Sequence, residues 1–115
     1  MVATGQDFEL WAGNDKRPEI IIKDTEGNTV DLTDADVEWV ATKDSDGTEV
    51  MRKDTIDGGA VISDAKGGRC IIKIDASDTD GMDDITLNHE ARITVQDGST
   101  VHVTVGTITL HSSDI

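Results

Sequence analysis

The chain has 115 residues, of which 24 are Asp or Glu and only 10 are Lys or Arg, giving a formal net charge of −14. This length fits one domain, and so large an excess of acid argues against a nucleic-acid groove, where Lys and Arg must neutralise phosphates. The longest run of Ile, Val and Leu is residues 20–22, far below the roughly 20 apolar residues that a membrane span requires. We therefore expect neither nucleic-acid binding nor membrane insertion.

Residues 1–12 fit the general pattern of the chain least well. Phe8, Leu10 and Ala12 alternate as in an edge strand, whereas Trp11 lies on the opposite phase. Because both faces of the segment carry apolar residues, it is predicted to be an arm or an edge strand. Phe8, Leu10 and Trp11 are the predicted contacts with a neighbouring subunit. Packing of Trp11 on its own domain is the alternative.

From residue 13 onward, short runs alternate between apolar and polar residues with the period of two that β-strands have. These runs cover residues 19–23, 37–42, 70–74, 91–95 and 101–105. Turn signals rich in Gly, Asp and Asn separate them at 26–28, 44–47, 57–59, 66–68 and 96–99. Seven or eight strands at this spacing predict an all-β fold, an antiparallel sandwich or barrel over residues 13–115.

Individual positions refine this picture. Trp39 lies among the inward positions of its strand and is predicted to form the centre of the core. In the last strand the apolar residues change phase at Gly106, which predicts a bulge or bend there. The polar stretch 75–85 does not fit a strand, so we expect a single helical turn capped by Ser77 or Asp78.

Two Asp-x-Asp-Gly sequences, at 44–47 and 78–81, raise the question of a calcium site. Neither fits a helix–loop–helix calcium loop, because aligning its glycine with loop position six leaves Lys53 or Leu87 where the twelfth-position Glu belongs. A looser calcium site remains open, and its ligands would be Asp78, Asp80, Asp83 and Asp84. Hydrated acids of ordinary turns are the alternative, and no other cofactor is expected.

The residues that most often carry catalysis are poorly placed for it. His89, His102 and His111 lack the spacing of zinc ligands, and His89 falls on an inward phase that suits a hydrogen-bonded core residue. Cys70, the one cysteine, lies on an inward phase and is expected to be a small core residue. No glycine-rich segment joins a strand to a helix to form a phosphate site. We expect no enzymatic activity.

The acidity itself has two interpretations. Asp accounts for 18 of the 24 acidic residues. Self-repulsion of this charge would be screened in a salt-rich host, since at about 1 M salt the Debye length is only about 3 Å. Alternatively, Asp fills the many turns of a β protein, where it is favoured anyway.

The order of motifs over residues 13–110 resembles a known family. Residues 24–37 read D-T-E-G-N-T-V-D-L-T-D-A-D-V, residues 58–67 read G-G-A-V-I-S-D-A-K-G, Asp78-Thr79 follows, and residues 105–110 read V-G-T-I-T-L. This order resembles the small immunoglobulin-like domains of tailed-virus structural proteins, such as the N-terminal domain of the siphophage baseplate upper protein. Asp34 stands where that family usually has glycine.

The resemblance implies a single immunoglobulin-like β-sandwich that serves as a building block of a tail, neck or baseplate and has no catalytic residues. The implied partners are other virion structural proteins, contacted in multiple copies, and the implied location is the virion, after assembly in the host cytoplasm. Together with the acidity, this predicts a virus of a halophilic host. The alternative function is a surface recognition module that binds carbohydrate or calcium through Trp11 and the aspartates at 78–84.

Overall fold

A computed structural model describes residues 7–23, 26–95 and 97–112. These ranges contain strands β1 (Phe8–Trp11), β2 (Glu19–Ile21), β3 (Asp36–Lys43), β4 (Glu49–Asp54), β5 (Ala60–Asp64), β6 (Arg69–Ile72), β7 (Ile85–Thr94) and β8 (Thr100–His111), and helical turn α1 (Ala76–Thr79). Within this part of the chain, no helix has both the length and the hydropathy to cross a bilayer.

The strand order is that of an immunoglobulin-like sandwich. One sheet has the order β1-β8-β7-β3-β4 and the other has the order β2-β6-β5. In the naming used for antibody domains, β3, β7 and β8 correspond to strands C, F and G, β4 to the added C′ strand, and β2, β6 and β5 to B, E and D. The prediction of an all-β, immunoglobulin-like sandwich of seven or eight strands is confirmed. One pairing differs from the antiparallel prediction, because β1 runs parallel to β8.

The two sheets bury the inward residues of each strand between them. On β3, Val37, Trp39 and Ala41 are fully buried and alternate with more exposed residues. They meet buried side chains of the other strands, among them Ile20, Cys70, Ile72, Leu87, Ile93 and Ile108. The period-two alternation therefore locates the core, as expected for strands with one buried face.

The irregularity predicted in the last strand is present. His89 of β7 pairs with Gly106, and the next pair is Glu90 with Thr104, so β8 has one extra residue at this point. This is the bulge predicted at Gly106.

The predicted helical turn is also present, as α1, but its N-cap is Asp75 and not Ser77 or Asp78. Asp78 lies one turn later, where its Oδ2 accepts a hydrogen bond from the Asp75 amide at 2.8 Å. The carboxylate of Asp15 accepts another bond from the Ala76 amide at 2.7 Å. Both acids satisfy amides at the start of the turn, which have no partner within a helix.

Aspartate side chains hold many of the turns. Asp31, Asp46 and Asp97 each accept a hydrogen bond from the backbone amide two residues later. Among the described residues, nearby backbone amides also donate to Asp54, Asp57, Asp64 and Asp78, and amides of distant segments donate to Asp7, Asp15 and Asp84. The abundance of Asp thus has a structural cause in turn formation. Adaptation to a salt-rich host stays a prediction.

Acid is expected to weaken these turns. The hydroxyl of Thr33, and then its amide, lowers the pKa of Asp31, and equivalent bonds lower the pKa values of Asp46 and Asp97. Because the folded pKa lies below the unfolded value of about 3.9, this stabilisation is complete above the unfolded pKa and is lost as the pH falls through the folded one. We expect the urea midpoint to fall as the pH is lowered from about 5 to about 2.

The Asp31→Asn variant isolates one of these contributions, because its amide oxygen still accepts the turn hydrogen bonds but does not titrate. Its urea midpoint should depend less steeply on pH than that of the wild type over the same range. Measurements in about 0.5 M NaCl limit the competing effect of the net charge. An unchanged slope in Asp31→Asn would contradict the assignment.

Candidate interaction surface

Trp11 is the tryptophan that the fold leaves on the surface, where it is 48% exposed. Its ring stacks on that of His111 in β8, with centroids 4.7 Å apart and planes inclined by 26°. His111 Nε2 in turn lies 3.3 Å from Glu9 Oε1. We call these three residues the β1 surface. The stack restricts the motion of the indole, which reduces the side-chain entropy that a partner must remove on binding.

The strand that carries this surface is firmly attached to the sheet. The Asp7 carboxylate accepts hydrogen bonds from the Thr107 amide at 2.8 Å and from its hydroxyl at 3.1 Å. These bonds, the backbone one first, lower the pKa of Asp7. The Ala12 amide donates to the His111 carbonyl at 2.8 Å. Residues 8–11 are therefore an edge strand, one of the two forms predicted, and residues 1–6 of the predicted arm lie outside the described residues.

Of the three predicted interface residues, Trp11 alone is mainly on the surface. Leu10 is 2% exposed and belongs to the core of its own domain. Phe8 is half-buried and packs edge-on against the His89 ring, with centroids 5.2 Å apart. The register of β1 on β8 turns Phe8 and Leu10 inward and Glu9 and Trp11 outward. Assigning Leu10 to an interface is thus corrected: its side chain is already buried.

The four aspartates predicted as calcium ligands have separate contacts. Asp78 Oδ2 lies 2.8 Å from Lys53 Nζ, and Asp84 Oδ1 accepts a hydrogen bond from the Ser112 amide at 2.6 Å. Asp80 and Asp83 line a cavity of about 460 Å³ beside residues 12–14. Across the described ranges, no group of three or more His, Cys, Asp or Glu residues is arranged to hold a metal ion. The structure does not gather these four carboxylates, because two of them already hold an ammonium group or an amide.

His89 and Trp39 form a buried polar pair. The Trp39 Nε1–H donates to His89 Nδ1 at 3.0 Å, and both side chains are fully buried. An accepting Nδ1 carries no proton, so the ring proton lies on Nε2. Buried polar atoms need such partners, and this bond connects β3 to β7 within one sheet. His89 lies in the core, where the sequence pattern predicted it.

Cys70 is fully buried in the core of the sandwich, and burial raises the pKa of its thiol to about 11. The reactive thiolate is therefore scarce near neutral pH. We expect iodoacetamide at about pH 8 to leave Cys70 unmodified in the native protein and to alkylate it fully in urea, as measured by intact mass. Alkylation of the folded protein at the rate of a free thiol would contradict this placement.

The outer face of the large sheet carries a network of paired charges. Glu38 pairs with Arg52 and lies 3.0 Å from Arg92, while Arg52 also lies 2.6 Å from Glu49. With His102, three of these residues line a shallow cavity of about 230 Å³. Both guanidinium groups are already paired with carboxylates of this protein, so neither is available to bind a ligand without breaking an ion pair. The network instead connects β3, β4 and β7. Exposed ion pairs of this kind add little stability individually.

The sequence analysis missed an apolar patch on the outer face of the small sheet. Val61 is 40% exposed, and Ile21 and Ile71 are half-buried. In the described part of the chain, the core cluster and the side chains packed against it do not include these three residues. A signal was present in the sequence, because an isoleucine occupies the outward phase within both 20–22 and 70–72. Long apolar runs hide such residues, since the period of two is not visible in them.

The chain matches no protein-family model and no curated protein sequence. Among solved structures, it is similar to a chain of the structure of murine CRIg, with a TM-score of 0.43 and 16% sequence identity. The match covers 99% of this chain and 98% of that chain. The assignment of the immunoglobulin-like fold rests on the strand order described above.

Proposed function

We propose that this protein is a virion structural component of a tailed virus, located in the tail, baseplate or neck, that acts by protein–protein assembly. The order of its motifs supports this proposal through the family resemblance, and its immunoglobulin-like fold is compatible with it. The observation that carries it is Trp11, a large aromatic side chain held on the outer face of an edge strand. Its partners would be other virion proteins, contacted in multiple copies.

Trp11 has the properties of an interface anchor. A tryptophan can bury about 150–250 Å² on contact, and tryptophan is among the residues most enriched at positions that dominate binding energy. β1 lies at the end of its sheet, so an incoming strand has a place to pair. The acidic surface would limit association with DNA, in keeping with a structural component, and would suit a halophilic host.

A substitution at Trp11 tests the proposal more cleanly than removal of residues 1–12, which would also remove Leu10 from the core. Trp11→Ser should fold normally but enter virus particles at least about tenfold less than wild type, measured by mass spectrometry of purified particles. Ile56→Ser is the matched control, because Ile56 is a large apolar residue that is 79% exposed on the β4–β5 turn. Incorporation of Trp11→Ser at the wild-type level would contradict the proposal.

A second candidate function is surface recognition of carbohydrate or calcium. The observation in its favour is the cavity of about 460 Å³, lined by Asn14, Asp80 and Asp83 among others, next to the segment that carries Trp11. Polar side chains in a cavity near an exposed indole suit the hydroxyl groups and apolar faces of a sugar. Calorimetry with calcium and with a glycan panel tests this function, and the absence of heat from both would contradict it.

A further inference from the structure

We propose that the protein associates with itself head to tail, with the β1 surface of one copy docked on the outer face of the small sheet of the next. This inference rests on the proposed function, since it names the partner of Trp11. We call the docking area the small-sheet face and define it by Ile21, Val61 and Ile71 with the surrounding Glu19, Lys23, Arg69 and Lys73.

The centre of the small-sheet face is apolar. Strand pairing places Val61 of β5 beside Ile71 of β6, and Ile21 of β2 beside Arg69. The inward neighbours Ile20, Cys70 and Ile72 are fully buried, so the alternation turns Ile21 and Ile71 to the outside. This face therefore offers branched apolar side chains on which an aromatic anchor can pack.

The rim of the small-sheet face has the opposite sign to the molecule as a whole. Arg69 lies on the outward phase of β6, and Lys23 and Lys73 continue that phase just beyond the ends of β2 and β6. The carboxylates opposite them are Glu19 and Asp64, the latter paired in register with Arg69. Glu19 is already paired with Arg69 at 3.0 Å and accepts a bond from the Ser63 hydroxyl at 2.9 Å. In a chain of net charge −14, the described residues of this face carry three cations against two carboxylates. Complementarity favours an acidic partner with an apolar anchor.

The β1 surface of another copy has those two properties. It carries the exposed indole of Trp11 beside the carboxylate of Glu9, and Asp7 lies just before the first residue of the strand. Glu9 and Trp11 point outward from the large sheet, whereas the small-sheet face belongs to the other sheet. One molecule therefore cannot join its own two surfaces, and the contact is heterologous. Repetition of such a contact produces a ring or a filament.

Salt should favour this association. Two copies of net charge −14 repel each other over long distances, and about 0.5 M NaCl reduces the Debye length to less than half of its value at 0.1 M. Burial of the Trp11 indole against Ile71 and Val61 is not screened in this way. We therefore expect larger assemblies at about 0.5 M than at about 0.05 M NaCl.

Complementary variants test the head-to-tail geometry. Trp11→Ser disables the β1 surface, and Val61→Asp disables the small-sheet face. Lys73→Glu is a second variant of the small-sheet face; because the side chain of Lys73 is exposed, this change should not affect folding. In sedimentation velocity at about 0.5 M NaCl, the wild type and Ile56→Ser should form dimers and larger species. Each disabled variant alone should associate at least about tenfold more weakly. An equimolar mixture of Trp11→Ser with Val61→Asp or Lys73→Glu should form dimers and nothing larger, since one intact surface of each kind remains.

Several results would overturn the inference. The wild type could remain monomeric at both salt concentrations, the mixture of variants could fail to dimerise, or Trp11→Ser could assemble to the same extent as the wild type. The last result would indicate a contact that does not use Trp11. A monomeric wild type whose Trp11→Ser variant is still excluded from particles would overturn self-association alone and support a different virion protein as the partner of the β1 surface. Normal incorporation of Trp11→Ser into particles would instead contradict the proposed function.

Discussion

Replacement of Trp39 by alanine should lower the free energy of unfolding by about 3–5 kcal/mol, the largest loss expected for a single side chain in this domain. Trp39 is fully buried on β3, an interior strand of the large sheet, and lies between the two sheets. Alanine would leave a cavity that the flanking strands cannot close, and it would remove the Nε1–H that donates to His89 Nδ1 at 3.0 Å. Because small domains have about 5–15 kcal/mol in total, the variant should be marginally folded.

Two further variants separate the causes. Trp39→Phe retains most of the ring but not the donor, so it should cost less than Trp39→Ala, about 1–3 kcal/mol. Trp11→Ala removes the same atoms from a side chain that is 48% exposed and should cost less than about 1 kcal/mol. Urea unfolding followed by far-UV circular dichroism measures all three without depending on the tryptophan that is removed. A similar loss in Trp11→Ala and Trp39→Ala would contradict the placement of Trp39 at the centre of the core.

The inward residues of the fold could be predicted because they depend only on local alternation. The burial of Trp39 could be predicted without knowing which strands pair, and so could the bulge at Gly106, where the phase of the apolar residues changes.

The conformation of Asp34 also follows from local constraints. Its φ of 57° lies in the left-handed region, which favours glycine, and Asp is tolerated there because its short polar side chain can form local hydrogen bonds.

The features that depend on pairing could not be predicted. The burial of Leu10 follows from the parallel register of β1 on β8, and the sequence contains no signal for the direction of a four-residue strand. The proximity of Glu38 and Arg92 depends likewise on the β3–β7 register. The small-sheet face was hidden because Ile21 and Ile71 have isoleucine neighbours. Of the candidate surface, the sequence therefore indicated Trp11 alone. Because apolar residues occupy both phases of its segment, the sequence did not decide whether Trp11 packs on its own domain or faces a partner.

Gly68 should tolerate alanine less well than the other turn glycines do. It lies between β5 and β6 with a φ of +67°, and an added Cβ would lie 2.8 Å from the Ile22 carbonyl oxygen and 3.0 Å from that of Val30. Both are backbone atoms, and the Ile22 amide donates to the Gly68 carbonyl at 2.7 Å while the Val30 amide donates to Ile22 at 2.9 Å. The clash therefore cannot be relieved by a side-chain rotation. It must move a junction at which three segments share backbone hydrogen bonds.

We expect Gly68→Ala to cost about 3 kcal/mol or more in urea unfolding, part of it from the left-handed conformation and the rest from this backbone contact. Gly47→Ala is the matched control, because Gly47 has a similar φ of +76° but open space within 4 Å of the added Cβ. It should lose only the conformational part, about 1–2 kcal/mol. The difference between the two variants then measures the close approach of the β5–β6 turn to Ile22 and Val30. Equal losses would contradict this contact and would mean that the backbone of Ile22 and Val30 lies farther from Gly68 than described.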